Sequence, residues 1–319
     1  MVPAAAGTPF HRLARTPLHR WWRPIVGSIV LAIAAVIATF LVVGIWALIS
    51  PNDLAGADAG DALFENPTED LAINLVMLGI LTPLVLLTVR LIQRRPAFSV
   101  ASVLQKIRWR WLALCCLPGL GYLILNIALG NAFEALFPNV DTGPDVADDG
   151  SFVGWGRFVV PALVVLLLVP FQSAAEEFVF RGWLVQAVGA YGPDNTDGKP
   201  FVRLLKRLFR SPWPALVVSS VAFVFGHGYT GWAMADIFLF AMTIGWLTIR
   251  TGGLETGIAL HTVNNVIAFM IPAALGQLDT WSDQGGAPWP VFVLDLPCIA
   301  LYAVGVLWLA KRNNIARVS

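Results

Sequence analysis

Two adjacent carboxylates and an arginine, Glu176, Glu177 and Arg181, stand at the end of an apolar run that begins at Phe158. A charged side chain at the centre of a membrane helix costs about 3 kcal/mol on insertion scales, so three of them within two turns ask for a function. On a helix, residues four apart share a face. Glu177 and Arg181 therefore form a mutually neutralising pair that can hold the helix against its neighbours, while Glu176 projects elsewhere. Glu176 is left free for chemistry, and a carboxylate without a cationic partner can act as a general base toward water.

Two imidazoles are available to work with it. His227 follows Phe223 by one helical turn and sits between Gly226 and Gly228, where the chain or a substrate can come close. His261 and Asn265 are again four apart and point to one face, whereas Asn264 points away. Taken singly, each has a structural alternative: a histidine near a helix end hydrogen-bonding locally, or a polar pair joining two membrane helices. The case rests on convergence, since one Glu, two His and one Asn fall on three different spans of a chain that reads as otherwise almost empty of intramembrane polar groups. In acyl-transfer chemistry Glu176 activates water, His227 orients it or shares its proton, and His261 with Asn265 donates to the oxygen of the tetrahedral intermediate. No Ser, Cys or Asp is placed for a nucleophilic triad, and no His-Glu-x-x-His zinc helix occurs. The alternative is a zinc ion and its water held by Glu176, His227 and His261.

The elements that must position these residues are membrane helices. Of 319 residues 57% are hydrophobic and 13% charged, about half the charged share of a soluble domain. The fold class is accordingly all-α, a polytopic membrane protein of about eight spans, because open strands cannot satisfy their backbone in lipid. A basic arm with Arg12, Arg15, Arg20 and Arg23 precedes an apolar run, about Ile25 to Ile49, that is too long for a signal-peptide core. Further spans are expected at about Leu71 to Val89, Trp111 to Leu129, from Phe158 inward, Pro214 to Phe225, Trp232 to Ile249, Leu254 to Leu275 and Val291 to Ala310. Pro161 and Pro170 should kink the fourth span where the glutamates arrive.

Acidic loops around Asp53, Asp58, Asp61, Glu65, Glu69 and Asp70, around Asp141, Asp145, Asp148 and Asp149, and at Asp279 and Asp283 alternate with basic ones that carry Arg90 to Arg110 and Lys311 to Arg317. By the positive-inside rule both termini are cytoplasmic. Phe201 to Arg210 sets Arg203, Lys206, Arg207 and Arg210 among bulky apolar residues, the pattern of a helix lying on the anionic inner surface. With Glu176 near the inner end of its span and His261 about 11 Å from the inner end of its own, the site should open toward the cytoplasmic half. His227 then requires a kinked or short fifth span. The organisation expected is an N-terminal arm and three spans over 1–150, a catalytic core over 151–275, and a last span and tail over 276–319. Cys115, Cys116 and Cys298 read as small core hydrophobes.

Taken together and in order, Glu176-Glu177-x-x-x-Arg181, Phe223-x-x-x-His227 and His261-x-x-x-Asn265 resemble the motifs of the CAAX-protease and bacteriocin-processing family of intramembrane endopeptidases, over roughly Phe158 to Leu275. The resemblance implies an endopeptidase in which Glu176 activates water, His227 is its partner, His261 and Asn265 stabilise the oxyanion, and Glu177 and Arg181 support the site. It implies no cofactor, with zinc as the alternative, and a membrane-associated peptide or protein as substrate. Members also serve as immunity or scaffold proteins, so a non-catalytic role of the same fold is a second class of function. A proton-coupled transporter is a third, for which repeat symmetry is lacking. The bilayer is the expected partner and nucleic acid is not, since no basic cluster is interleaved with aromatics. The excess of Arg over Lys, with abundant Ala, Gly and Val, points to the plasma membrane of a GC-rich bacterium, where prenylated substrates would be unexpected.

Overall fold

The computed structural model describes residues 1–50, 54–56, 62–140, 151–280 and 285–319. The acidic positions Asp53, Asp58, Asp61, Asp141, Asp145, Asp148, Asp149 and Asp283 lie outside the described residues. Helices account for most of the described residues: α1 Trp22–Ile49, α2 Pro67–Gly79, α3 Leu81–Leu91, α4 Trp109–Leu136, α5 Trp155–Glu177, α6 Val185–Gly189, α7 Pro200–Arg210, α8 Trp213–Phe225, α9 Trp232–Thr251, α10 Glu255–Leu275 and α11 Trp289–Arg312. Two strands of two residues each, β1 Thr230–Gly231 and β2 Gly286–Ala287, pair in parallel and join the loops before α9 and α11.

Among the described residues seven stretches are long and apolar enough to cross a membrane, with α2 and α3 forming one of them and α5 through α6 another. The protein is thus a polytopic helical membrane protein. The fifth expected span is the exception. Helix α8 has 13 residues, about 20 Å by helix rise against a hydrocarbon core of about 30 Å, and it crosses only if counted with α7, from which it is bent by 53°. The break between α2 and α3 falls at Ile80, where Pro83 opposes the carbonyl of Gly79. In α5 the two prolines lie inside a continuous helix, and the irregularity comes after the glutamates instead, as a π-helical turn over Phe178–Leu184.

Helix α5 lies between α2 and α10, α4 between α10 and α11, and α9 between α8 and α11. In lipid no hydrophobic force drives helices together, so close packing must do it. Gly305 of α11 meets Pro118 of α4 so closely that a Cβ there would sit 2.8 Å from the ring. One apolar cluster, with Cys115, Ile244, Leu260 and Tyr302, joins α4, α9, α10 and α11, and another, with Leu71, Val165, Val169 and Ala273, joins α2, α5 and α10.

The end of the bundle that carries the basic loops is stitched shut. The N-terminal segment pairs with the C-terminal tail (Pro9 with Val318; Gly7 N–H to Ser319 O, 2.6 Å), and Val2 N–H reaches Arg94 O at 3.2 Å. Gly252, at φ +68°, ends α9 in the left-handed region and accepts from Val103 N–H at 2.9 Å. Arg108 grips both oxygens of Glu255 (2.9 and 2.6 Å) and the carbonyls of Thr251 and Ala316, fixing the start of α10. Arg95, fully buried, donates to Gln93, Ser99 and Gln186, and so ties the 92–99 loop to the helix just after the π turn.

Arg12 and Arg15 both reach Asp194 at 2.6 Å and anchor the N-terminal segment to the loop after α6. The Arg15 hydrogen bond, helped by the charges of Arg12 and Arg210, holds the Asp194 carboxyl below the usual carboxylate range. A carboxyl depressed in the folded state stabilises it above the ordinary value, about pH 4, and that contribution disappears as pH falls through the depressed one. Because the Asp194 side chain is 67% exposed, the anchor is worth under about 1 kcal/mol. Protection of the amides of residues 7–15, taken relative to their intrinsic exchange rates, should therefore fall on acidification below about pH 4, and likewise at neutral pH in Asp194→Asn. Exchange indifferent to both would contradict the anchor.

Candidate active site

The local geometry starts from the π turn. Glu177 and Arg181, four residues apart across its start, meet at 2.9 Å and are both buried, with 0% and 1% of their side chains exposed. Space for the Glu177 carboxylate exists because position 257 is glycine: a Cβ there would stand 2.5 Å from Glu177 Oε2. The same Glu177 Oε1 that receives Arg181 lies 3.1 Å from Nδ1 of His261. A carboxylate can only accept, so this nitrogen carries a proton, and in the neutral ring Nε2 of His261 is bare.

Phe223 holds the second imidazole. Its carbonyl accepts from His227 Nδ1 at 2.7 Å, which again leaves Nε2 bare. Its ring lies under the Arg181 guanidinium at 4.0 Å and against both histidines, 4.3 Å from His227 and 5.8 Å from His261 between centroids. Phe240 closes on His261 from α9, and Tyr229 stacks on His227.

Both bare nitrogens face one oxygen. Glu176 Oε2 is 3.6 Å from His227 Nε2 and 3.6 Å from His261 Nε2, and has no hydrogen-bond partner. Three acceptors thus converge without a donor, at separations too long for direct hydrogen bonds but within reach of one shared water. A water can donate to only two of them, so the third must bring a proton of its own. The other oxygen of Glu176 accepts from Gln172 Nε2 at 2.6 Å, and Gln172 Oε1 accepts from Asn265 Nδ2 at 3.2 Å. Asn265 therefore reaches Glu176 through Gln172, with one N–H of its amide still to give. Asn264 donates to Asn265 at 3.3 Å.

All six residues singled out in the sequence are brought together, Glu176, His227, His261 and Asn265 at the cavity wall and Glu177 with Arg181 behind it. Among the described residues no group of three or more His, Cys, Asp or Glu side chains is disposed as a closed metal-ion site.

Two expectations fail. The site does not open toward the basic end, which is plugged by Phe178, Trp183, Leu254 and Ile258. A cavity of about 470 Å³ runs from Glu176 the other way, past Asn265, Phe269 and Pro272 of α10 to Ala287 and Val291. The short α8 makes this possible by leaving His227 in the loop that precedes β1. Nor are the spans otherwise empty of polar groups. Asp236 in α9 and Asp295 in α11 line the same cavity, with Tyr122 of α4. Both aspartates were visible as ionisable residues inside apolar runs, and Gln172 as the residue four before Glu176.

On these helices and residues the chain is similar to CAAX-protease-like membrane proteins. Over residues 157–267, the stretch that holds the three motifs, the chain matches the family model described as type II CAAX prenyl endopeptidase Rce1-like. The uncharacterized protein YyaK of Bacillus subtilis (strain 168) is 25% identical over 283 residues, 84% of this chain and 84% of that protein. No solved structure matches the chain.

Removing one partner of a buried ion pair strands the other charge, at a cost of about 3–5 kcal/mol. Glu177→Gln and Arg181→Met should each lower the thermal unfolding temperature in detergent, and the double variant should lose less than the two losses added. Strict additivity would show that the pair does not hold the π turn in place.

Proposed function

We propose that the protein is an intramembrane endopeptidase that hydrolyses a peptide bond of a membrane-associated substrate with a water activated by Glu176. The observation that carries the reading is the meeting of three acceptors, Glu176 Oε2 and two Nε2 atoms, around one position at the closed end of a deep cavity. A water held there gives a proton to Glu176 as its oxygen attacks the scissile carbonyl carbon. The oxyanion takes hydrogen bonds from the free N–H of Asn265 and from Nε2 of His261, the ring that enters the reaction already carrying the proton the third acceptor must bring; neutral His261 has no donor to offer. As the tetrahedral intermediate collapses, the C–N bond breaks and the departing amine receives the proton that left the water, directly from Glu176 or through His227. Glu177 and Arg181 act at a distance, by holding His261 in the tautomer that turns Nε2 inward.

The basic loops and both ends of the chain lie at one end of the bundle, which the positive-inside rule places in the cytoplasm. On that orientation the cavity extends toward the outer half of the membrane, and helix α7, with no buried residue, lies on the inner surface. The location that suits this reading is a bacterial plasma membrane, and the occupant of the site a peptide drawn from the bilayer or from outside.

In liposomes containing the full chain and a library of membrane-anchored peptides, Glu176→Gln should reduce cleavage by about 10³-fold or more. Undiminished cleavage would remove the proposal, and a Glu176→Gln chain that cleaves nothing yet retains full biological function would favour the scaffold or immunity role. Cleavage by wild type should persist in chelator. Loss in chelator with recovery on adding zinc would transfer the reaction to a metal-bound water.

A further inference from the structure

The cavity has a second polar wall that the proposed reaction does not use. Asp236 of α9 and Asp295 of α11 are hydrogen-bonded to each other across it, and Asp295 also takes hydrogen bonds from Tyr122 and, at 3.4 Å, from Asn126 of α4. Two carboxyl groups in contact favour sharing one proton, and a cation can take that proton's place. Asp295 is 3% exposed. Oδ1 of Asp236 is buried without a partner. Such groups are costly inside a membrane protein and ordinarily mark a path or a binding site.

The rest of the cavity points to what would fill it. Its lining includes three carboxyl groups, Glu176, Asp236 and Asp295, and no lysine or arginine. Glu176, itself 6% exposed, turns an unpartnered oxygen into the same space. A walled-off volume of one sign concentrates the opposite charge. On α9, Asp236 stands one turn from Phe240, which packs against His261, so the pair lies about 6 Å farther along the cavity than the reacting groups. That is about two residues of an extended peptide.

We infer that Asp236 and Asp295, supported by Tyr122 and Asn126, form a subsite for a cationic group of the substrate, a basic side chain or a free amino terminus within a few residues of the bond to be cut. The inference rests on the endopeptidase reading for the phrase "bond to be cut", but the subsite itself is a matter of binding. An arriving ammonium or guanidinium displaces the shared proton to solvent and pairs with both carboxylates. Between Asn126 and Tyr122 the acceptors not used by the cation remain hydrogen-bonded. Peptides lacking a cation leave the pair as it is and gain nothing from it.

The test uses the full-length protein in liposomes and short apolar peptides, capped at both ends, with one lysine moved along the sequence and a norleucine twin for each. At the best position the lysine peptide should bind about tenfold more tightly than its twin. In Asp236→Asn/Asp295→Asn the advantage should vanish while apolar peptides bind as before. Should that double variant not fold, Asp236→Asn, at a partly exposed position, carries the same comparison. An advantage seen only for uncapped peptides would assign the subsite to the terminal amine. If no lysine position outperforms norleucine and no uncapped peptide outperforms its capped form, or if the advantage survives the aspartate replacements, the inference is overturned. Lysine-selective binding without cleavage would sink the peptidase and keep the subsite; cleavage blind to lysine and to the free amine would do the reverse.

Discussion

Much of this structure hangs on one buried oxygen, Oε1 of Glu177. It receives the guanidinium of Arg181 and Nδ1 of His261 together, in a place where an unpaired charge would be untenable. From that arrangement several others follow. Gly257 must lack a side chain so that the start of α10 can lie against the carboxylate. Arg181, its remaining nitrogens without hydrogen-bond partners, rests on the ring of Phe223. Phe223 in turn fixes His227 through its carbonyl. Both imidazoles are thus oriented by one connected support, and both present the same nitrogen to Glu176.

The bundle divides along its length between holding and receiving. At the basic end, ion pairs, tail-to-tail hydrogen bonds and an apolar plug bind the loops into a platform on which α10 and the π turn are set. At the other end the helices leave a cavity, with the carboxyl groups of Glu176, Asp236 and Asp295 on its wall. This separation is physically sensible. Groups that must be rigid are placed where packing is dense, and groups that must meet a ligand where water can reach them. The π turn lies at the junction, and such turns commonly mark functional positions in helices because their wider backbone redirects side chains.

The spans, the motif positions and the pairing of Glu177 with Arg181 were legible in the sequence because they depend on local quantities: apolar run length, and the angle between residues four apart on a helix. Other features depend on how helices meet. The tautomers of His227 and His261 are set by partners 4 and 84 residues away, and only the first of these is near in sequence. Asp236 and Asp295 lie 59 positions apart in different spans, and nothing local to either joins them before α9 and α11 pack together. The short fifth span that His227 requires is present as α8, with 13 residues; the direction of the cavity was misread because the depths of Glu176 and His261 in their own helices do not show on which side the neighbouring helices leave space. Gln172 escaped notice for a plainer reason, as a neutral side chain that carries no penalty large enough to draw attention.

The account turns on which nitrogen of each imidazole carries a proton. Nitrogen NMR of the full chain in lipid, with labelled histidine, reads this directly, and there are only four histidines to assign. The structure predicts a protonated Nδ1 on both His227 and His261, with His261 losing that state in Glu177→Gln. A bare Nδ1 on either ring in the wild-type protein would mean that the two Nε2 atoms do not face Glu176 as acceptors, and the proposed water site would have no basis.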